Sequence, residues 1–150
     1  MIWTDRGNAA ETIVTQLGAS KVGVTIVSFD EATSEEALDH ALGSTNARGL
    51  VYTHGRTISE GAPTRTSLIS NLMPELDSMY RGEELNIAKY PHLKLITQTG
   101  FRELRGINRF KDVPVYANAA MTSYSIPENS PDDLFRIVLR GGKQISTYTN

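Results

Sequence analysis

Residues Asn8 to Thr53 read NAAETIVTQLGASKVGVTIVSFDEATSEEALDHALGSTNARGLVYT. The stretch holds two short helical patterns, and each runs through a glycine or polar break into a run of β-branched and apolar residues. Strands with few charges that alternate with helices of about ten residues favour parallel pairing, because a parallel crossover needs a helix-sized connection. We therefore predict an α/β fold with a mostly parallel sheet and helices packed on it.

The first helical pattern has one apolar face, because apolar residues recur at three- and four-residue spacing. These residues are Ala9, Ala10, Ile13, Val14 and Leu17. Asn8 with Glu11 three residues later predicts a capping box at the start, and Gly18 weakens the end of the helix. The strand formers from Val22 to Phe29 predict the strand that follows.

The second unit repeats this arrangement. Thr33 with Glu36 predicts another capping box, and Gly43 is expected to be the C-cap of the second helix. The apolar face of this helix is predicted to consist of Ala37, Leu38, Ala41 and Leu42. Gly49 to Thr53 then predicts a second strand.

The rest of the chain continues the alternation less regularly. His54 to Arg65 is polar and contains two glycines and one proline, which predicts a solvated loop. A helix is predicted over Thr66 to Tyr80, and Pro74 is expected to kink or divide it. Further strands are predicted over His92 to Gly100 and over Val113 to Ala117, the latter at an edge or bulge because it contains a proline.

One segment, Phe101 to Asp112, places basic residues among aromatic and aliphatic ones. Its basic residues are Arg102, Arg105, Arg109 and Lys111. Such interleaving can grip nucleic acid. The chain as a whole has a net charge of −2 and a pI near 5.9, which gives no electrostatic reason to expect that partner. We predict a solvated rim and no nucleic-acid partner.

The composition excludes several kinds of chemistry. The chain has 150 residues, which suit one domain, and no Cys, which excludes disulfides, thiolate metal sites and a Cys nucleophile. His40, His54 and His92 lack metal-ligand spacing, so no metal is predicted. The longest apolar runs are far short of a membrane span. We predict an intracellular chain without a transmembrane segment or a cofactor.

The same stretch resembles the N-terminal part of the AMP-binding, adenylate-forming superfamily, and most of all its fatty-acyl-CoA synthetases. The matching residues are Asn8, Glu11, Ile13, Val14, Gln16, Leu17, Ala19, Lys21 and Gly23, followed by Ser34, Glu35, Glu36, Ala41 and Leu42. Their order and spacing hold without a gap. The resemblance implies a sheet like one sub-domain of a synthetase N-terminal domain, and it implies that residues 1–150 form a single, truncated domain of this type.

In that family a later strand leads into a phosphate loop rich in glycine and hydroxyl residues. Asp132 to Val138 resembles the lead-in strand, and the loop that follows here is Leu139-Arg140-Gly141-Gly142-Lys143. The loop hydroxyls and the proline before the lysine are missing, and the spacing is not that of a Walker loop. The resemblance therefore implies a degenerate phosphate loop, with Gly141, Gly142 and Lys143 as the candidate phosphate-binding residues and with no catalytic residue.

The expected function follows from the degenerate phosphate loop. We predict a non-catalytic acyl-CoA synthetase-like domain, a pseudoenzyme, that serves as an accessory subunit of a larger assembly. Other subunits are expected to cover its sheet edges, and a mitochondrial host is favoured over a cytosolic one. Small-molecule binding is not expected.

The sequence leaves two alternative functions open. The chain can be one piece of an active ATP-dependent fatty-acyl-CoA synthetase, with the ATP site outside it. It can also be a ligand-binding module with a cleft at the strand ends, as open α/β sheets often have.

Overall fold

The computed structural model describes residues 1–30, 34–54, 63–113, 128, 130, 132–140 and 143–149. The strands of this part are β1 (Ile2–Trp3), β2 (Ile26–Asp30), β3 (Gly49–Tyr52), β4 (Leu95–Gln98), β5 (Asn108–Arg109), β6 (Leu134–Arg140) and β7 (Lys143–Thr149). Its α-helices are α1 (Ala9–Lys21), α2 (Glu35–Thr45) and α3 (Arg65–Leu72). Short 3-10 helices lie at Arg6–Asn8, Pro74–Ser78 and Phe110–Asp112.

The described strands form one seven-stranded sheet in the order β5-β4-β3-β1-β2-β6-β7. The neighbours from β5 to β6 pair in parallel, and β7 pairs with β6 antiparallel. The predicted α/β fold with a mostly parallel sheet is thus confirmed.

The helices lie on two faces of this sheet. The chain passes from β1 to its neighbour β2, and then back past β1 to β3 and β4. Right-handed crossovers in opposite directions place their helices on opposite faces. We call the face that carries α2 and α3 the core face, and the face on the α1 side the open face.

The core face holds the main hydrophobic core. Side chains alternate between the two faces of a strand. The buried Trp3, Phe29 and Tyr52 occupy matching register positions on β1, β2 and β3, so all three lie on the core face. The Trp3 and Phe29 rings pack with their centroids 5.5 Å apart. The helices and loops contribute Leu38, Ala41, Leu42, Leu68, Ile69, Met73, Leu76, Leu85, Ile87 and Leu93 to the same cluster.

The helix ends differ from the sequence prediction in informative ways. Asn8 precedes α1, but its side chain makes no cap hydrogen bond. At α2 the N-cap is Ser34, whose hydroxyl accepts from Ala37 N at 3.3 Å, whereas Thr33 lies outside the described residues. Gly43 was wrongly predicted as the C-cap: α2 continues to Thr45, and Asn46 takes the left-handed conformation (φ 48°) that ends it.

The strands are shorter than their apolar runs. The run from Val22 predicted a strand, but Val22 N still donates to the carbonyls of Gly18 and Ala19, so this residue belongs to the end of α1. Extended pairing therefore begins only at Ile26. Similarly, the strand predicted from His92 is limited to β4.

Pro74 divides the predicted helix as expected. The α-helix ends at Leu72, and a 3-10 helix begins at Pro74, which has no N–H to continue the ladder. Val113 follows a 3-10 helix, and the remaining residues of the strand predicted there, 114–117, lie outside the described residues.

Candidate functional site

The Lys143 of the Gly-Gly-Lys sequence lies in the antiparallel pair of strands β6 and β7. Lys143 is exposed and begins β7, where it pairs with Arg140. Gly141 and Gly142 lie outside the described residues. The assignment of these three residues to phosphate contact stays a prediction.

A hydrogen-bonded polar cluster lies where β1 and β3 end. Thr53 follows β3, and its hydroxyl donates to Asn8 Oδ1 at 2.9 Å and accepts from Asp5 N at 3.4 Å. The Asn8 side chain accepts this bond from Thr53 and makes no cap bond to α1. The cluster joins the loop after β1 to the loop after β3, at a point where the two following helices go to opposite faces. Ligands of open α/β sheets bind at such a switch point.

His54 is the next residue of this cluster. Its Nδ1 lies 2.7 Å from Thr66 Oγ1, which also lies 3.3 Å from the Tyr52 hydroxyl. Burial, aided by the positive charge of Arg102, lowers the pKa of His54 below its usual value of 6.5. Burial raises the pKa of Tyr52 to about 12, against the opposing hydrogen bond to Thr66. The prediction that His54 is a solvated loop residue was wrong, because the side chain is half-buried and hydrogen-bonded.

Arg65 gives the cluster a positive charge. Its guanidinium lies over the Trp3 ring, 5.3 Å from the centroid, and its Nη1 is 3.6 Å from Asp5 Oδ2. Cation–π stacking and a carboxylate partner hold the side chain between the end of β1 and the start of α3. The cluster thus offers a paired charge, an imidazole and several hydroxyls, which are groups that can form hydrogen bonds with a polar ligand.

A separate cavity of about 740 Å³ opens beside β4 and β5. Leu95, Thr97 and Asn108 line its floor. Leu95 and Thr97 are two residues apart in β4, and Thr97 pairs with Asn108 of β5, so the three residues occupy one face of the sheet. Thr97 and Leu95 alternate with the buried core residues Ile96 and Gln98, so the cavity lies on the open face. Its walls are Tyr80, Arg81, Gly82, Glu83, Arg109, Asp112 and Val113.

An ion-pair network borders this cavity. Arg109 Nε donates to Asp112 Oδ2 at 2.6 Å, and Arg109 Nη1 donates to Glu103 Oε1 at 3.0 Å. Arg81 Nη1 lies 3.4 Å from Glu103 and 3.7 Å from Asp112. The Arg109 guanidinium lowers the pKa of the Asp112 carboxyl. Of the basic segment, Arg109 thus has two acidic partners. The absence of a nucleic-acid partner stays a prediction.

His40, His54 and His92 all lie in the described part of the chain. Within the described ranges, no three His, Cys, Asp or Glu side chains are grouped so that they could hold a metal ion. The same part of the chain contains no helix long and apolar enough to cross a membrane.

Comparison with known proteins gives one similarity that agrees with the sequence resemblance. The chain is 25% identical over 116 residues to the Bacillus subtilis (strain 168) protein named "Putative acyl-CoA synthetase YngI". The match takes in 77% of this chain and 20% of that protein, so the chain spans about a fifth of its relative's length. No protein-family model matches the chain. The supported class is an α/β protein with a distant, AMP-binding-like relationship to acyl-CoA synthetases.

Sequence reasoning missed the cluster at the ends of β1 and β3. A usable signal was present, since polar residues directly follow both strands: Thr4 and Asp5 after β1, and Thr53 and His54 after β3. The carboxyl ends of neighbouring parallel strands lie at one edge of a sheet. Recognising this required the knowledge that β1 and β3 are neighbours, which local patterns do not contain.

Proposed function

We propose that this chain is a non-catalytic, acyl-CoA synthetase-like domain whose role is to join a larger protein assembly as an accessory subunit. The observation that carries the proposal is the unequal covering of the sheet. The core face is closed by α2 and α3, whereas the open face exposes apolar side chains around the cavity beside β4 and β5.

These exposed side chains are large. Leu95 on the floor of the cavity, and Tyr80 and Val113 on its walls, are all exposed. Contiguous apolar surface of this kind marks interaction sites, and the ion pairs of Arg81 and Arg109 supply the polar rim that protein interfaces usually have. The departure of the Leu139–Lys143 sequence from the hydroxyl-rich phosphate loop supports the non-catalytic part of the proposal.

The test begins with the native particle that contains this chain. Its mass and composition are measured after gentle purification, and ATP binding is measured by calorimetry on the same sample. The proposal expects a stoichiometric place in a larger complex and no ATP heat. Fractionation of the source cells tests the further proposal that this assembly is mitochondrial.

A matched pair of variants locates the interface. Leu95→Glu places a charge at the cavity beside β4 and β5, whereas Leu134→Glu places the same charge at the start of β6, which β3, β1 and β2 separate from β4 in the sheet, and the two leucines are equally exposed at 43%. We expect Leu95→Glu to be lost from the complex while Leu134→Glu remains. Equal retention of both variants would show that the open face beside β4 is not the docking surface.

The similarity to a protein named as an acyl-CoA synthetase favours one second candidate. In that case the chain is part of an active ATP-dependent fatty-acyl-CoA synthetase whose ATP site lies outside it. The same calorimetry separates the two proposals, because a particle that binds ATP and makes acyl-CoA from fatty acid and CoA would replace the accessory role with the enzymatic one.

A further inference from the structure

Helix α1 is turned with its apolar face away from the protein. Ile13, Val14 and Leu17 are exposed by 53%, 57% and 62%, and no residue of α1 is buried. Ala10 and Gly18 extend the same exposed stripe at both ends. We call these five residues the α1 stripe. The periodicity predicted an apolar face on this helix, and in the structure that face is exposed.

The opposite side of α1 is polar and faces inward. Thr12 Oγ1 donates to Asn8 O at 2.8 Å and lies 2.7 Å from Thr4 Oγ1, next to β1. Thr12, Thr15, Gln16 and Ser20 are all less exposed than the stripe residues. The α1 stripe therefore contributes little to holding the helix on its own domain, and exposing it to water has a cost that a second surface would remove.

Charges mark the two ends of the stripe. Glu11 lies in the first turn of α1, partly buried and at the edge of the stripe in line with Gly18, and the exposed Lys21 lies in the last turn on the same side as Val14 and Leu17. A partner helix in antiparallel orientation with the same sequence places its Lys21 towards Glu11 and its Glu11 towards Lys21. The middle of the stripe is uncharged, so no other charge needs a partner there.

We propose that the α1 stripe is a self-association surface, on which a second copy of this chain packs its own α1 antiparallel about a two-fold axis. The pairing is self-complementary, as a two-fold interface requires. It aligns the helix dipoles in opposite directions, and it brings Val14 and Leu17 of one copy against Leu17 and Val14 of the other. Among the described residues, and apart from the backbone of α1 itself and the two chain neighbours, no heavy atom lies within 4 Å of where a Cβ on Gly18 would stand, so the two helices can approach closely there.

One helix pair buries less area than the roughly 1,200–2,000 Å² of stable complexes, so the dimer is expected to be weak, with a dissociation constant of about micromolar or above. This inference goes beyond the proposed function and does not depend on it, because the docking surface proposed there lies beside β4 and β5.

The first experiment uses the full chain in sedimentation equilibrium from about 1 to 500 µM, a range that brackets a weak dimer. The unsubstituted chain is expected to dimerise reversibly. Leu17→Glu is expected to raise the dissociation constant at least about tenfold, since it puts a charge into the apolar contact, and Leu134→Glu is the control that should leave it unchanged. A chain that stays monomeric over this range would overturn the proposal, and so would a dimer that Leu17→Glu does not weaken.

The second experiment tests the antiparallel orientation. In a dimer of the Glu11→Lys variant, the substituted side chain is positive and faces Lys21 of the other copy. In a dimer of the Lys21→Glu variant, the substituted side chain is negative and faces Glu11 of the other copy. Each variant alone should therefore dimerise less than the unsubstituted chain.

Mixing these two variants separates charge pairing from other effects of the substitutions. In the antiparallel heterodimer, the substituted position 11 of one copy faces the substituted position 21 of the other, and the charges are opposite. At the other end, unsubstituted Lys21 faces unsubstituted Glu11. The mixture should thus form heterodimers, and low salt is used because exposed ion pairs are screened. Failure of the mixture to recover would overturn the antiparallel pairing.

A third measurement does not rely on charge changes. The chain has no Cys, so Val14→Cys and Leu17→Cys each introduce a single thiol. When the two variants are mixed and oxidised, the antiparallel dimer predicts more of the mixed disulfide, between position 14 of one copy and position 17 of the other, than of the two symmetric products. A preference for the symmetric products would indicate a parallel pair and contradict the proposal.

Discussion

The hydroxyl of Tyr90 donates a hydrogen bond of 2.7 Å to Asp39 Oδ1, joining the segment that leads into β4 to helix α2. Lys89 Nζ lies 2.8 Å from the other carboxylate oxygen of Asp39. The hydrogen bonds from Lys89 and Tyr90 lower the pKa of the Asp39 carboxyl. Burial, together with the Asp39 bond and charge, raises the pKa of the Tyr90 hydroxyl.

Removing this hydroxyl should cost stability. We expect Tyr90→Phe to lower the free energy of unfolding by about 1–2 kcal/mol, because a buried ring loses a hydrogen bond to a charged acceptor that is itself partly exposed. Urea denaturation followed by circular dichroism measures the change. Tyr80→Phe is the control: because Tyr80 is exposed, the unfolding midpoint of this variant should equal that of the unsubstituted chain. Equal effects of the two substitutions would contradict this account of Tyr90.

Gly106 should not tolerate a side chain. Its φ is 64°, and an added Cβ would lie 2.8 Å from Leu76 Cδ2 and 3.3 Å from Leu76 O. We expect Gly106→Ala to destabilise the fold by about 2–3 kcal/mol, through the left-handed backbone and this close contact together. Gly82 has φ 90°, but among the described residues no atom that could obstruct an added Cβ lies within 4 Å of it, so Gly82→Ala should cost only the backbone part, about 1 kcal/mol. Thermal melts of both variants make the comparison, and equal costs would show that the contact with Leu76 does not matter.

His54 should make stability depend on pH on the acid side. Its pKa is lowered in the folded state, so the unfolded chain binds more protons between the folded pKa and 6.5. Stability therefore rises with pH in that window, is fully present above about 6.5, and is lost progressively as the pH falls through it. We expect His54→Gln to flatten this part of the profile in urea titrations at about pH 5 to 7.5. An unchanged slope would show that His54 is not the responsible group.

Trp3 should be more tolerant of Phe than its burial suggests. It is the chain's one Trp, it is buried, and its Nε1 has no hydrogen-bond partner in the described structure. Trp3→Ala should cost about 3–5 kcal/mol through the cavity it leaves. Trp3→Phe should cost much less, because it keeps the contact with Phe29 and removes an unsatisfied donor. Denaturation by circular dichroism compares the two, and similar costs would contradict the role of the unpaired N–H.

Local patterns predicted much of the fold. The helix–strand alternation indicated the parallel sheet, and Pro74 marked where α3 gives way to a 3-10 helix, because a missing N–H acts on its own neighbours whatever the tertiary context. Helix ends were less predictable. Gly43 and Asn46 both suit a left-handed C-cap, and nothing local favours the second over the first.

The sequence by itself determined the class of the fold, since hydrophobic periodicity and turn residues act over a few positions along the chain. Only the tertiary structure decided which strands became neighbours, and hence that Thr53 after β3 would bond to Asn8 after β1. It also decided that the apolar side of α1 faces outward while Thr12 faces β1. Periodicity identifies an apolar face, but the rotation of a helix about its axis depends on the surfaces that surround it, including surfaces of other copies.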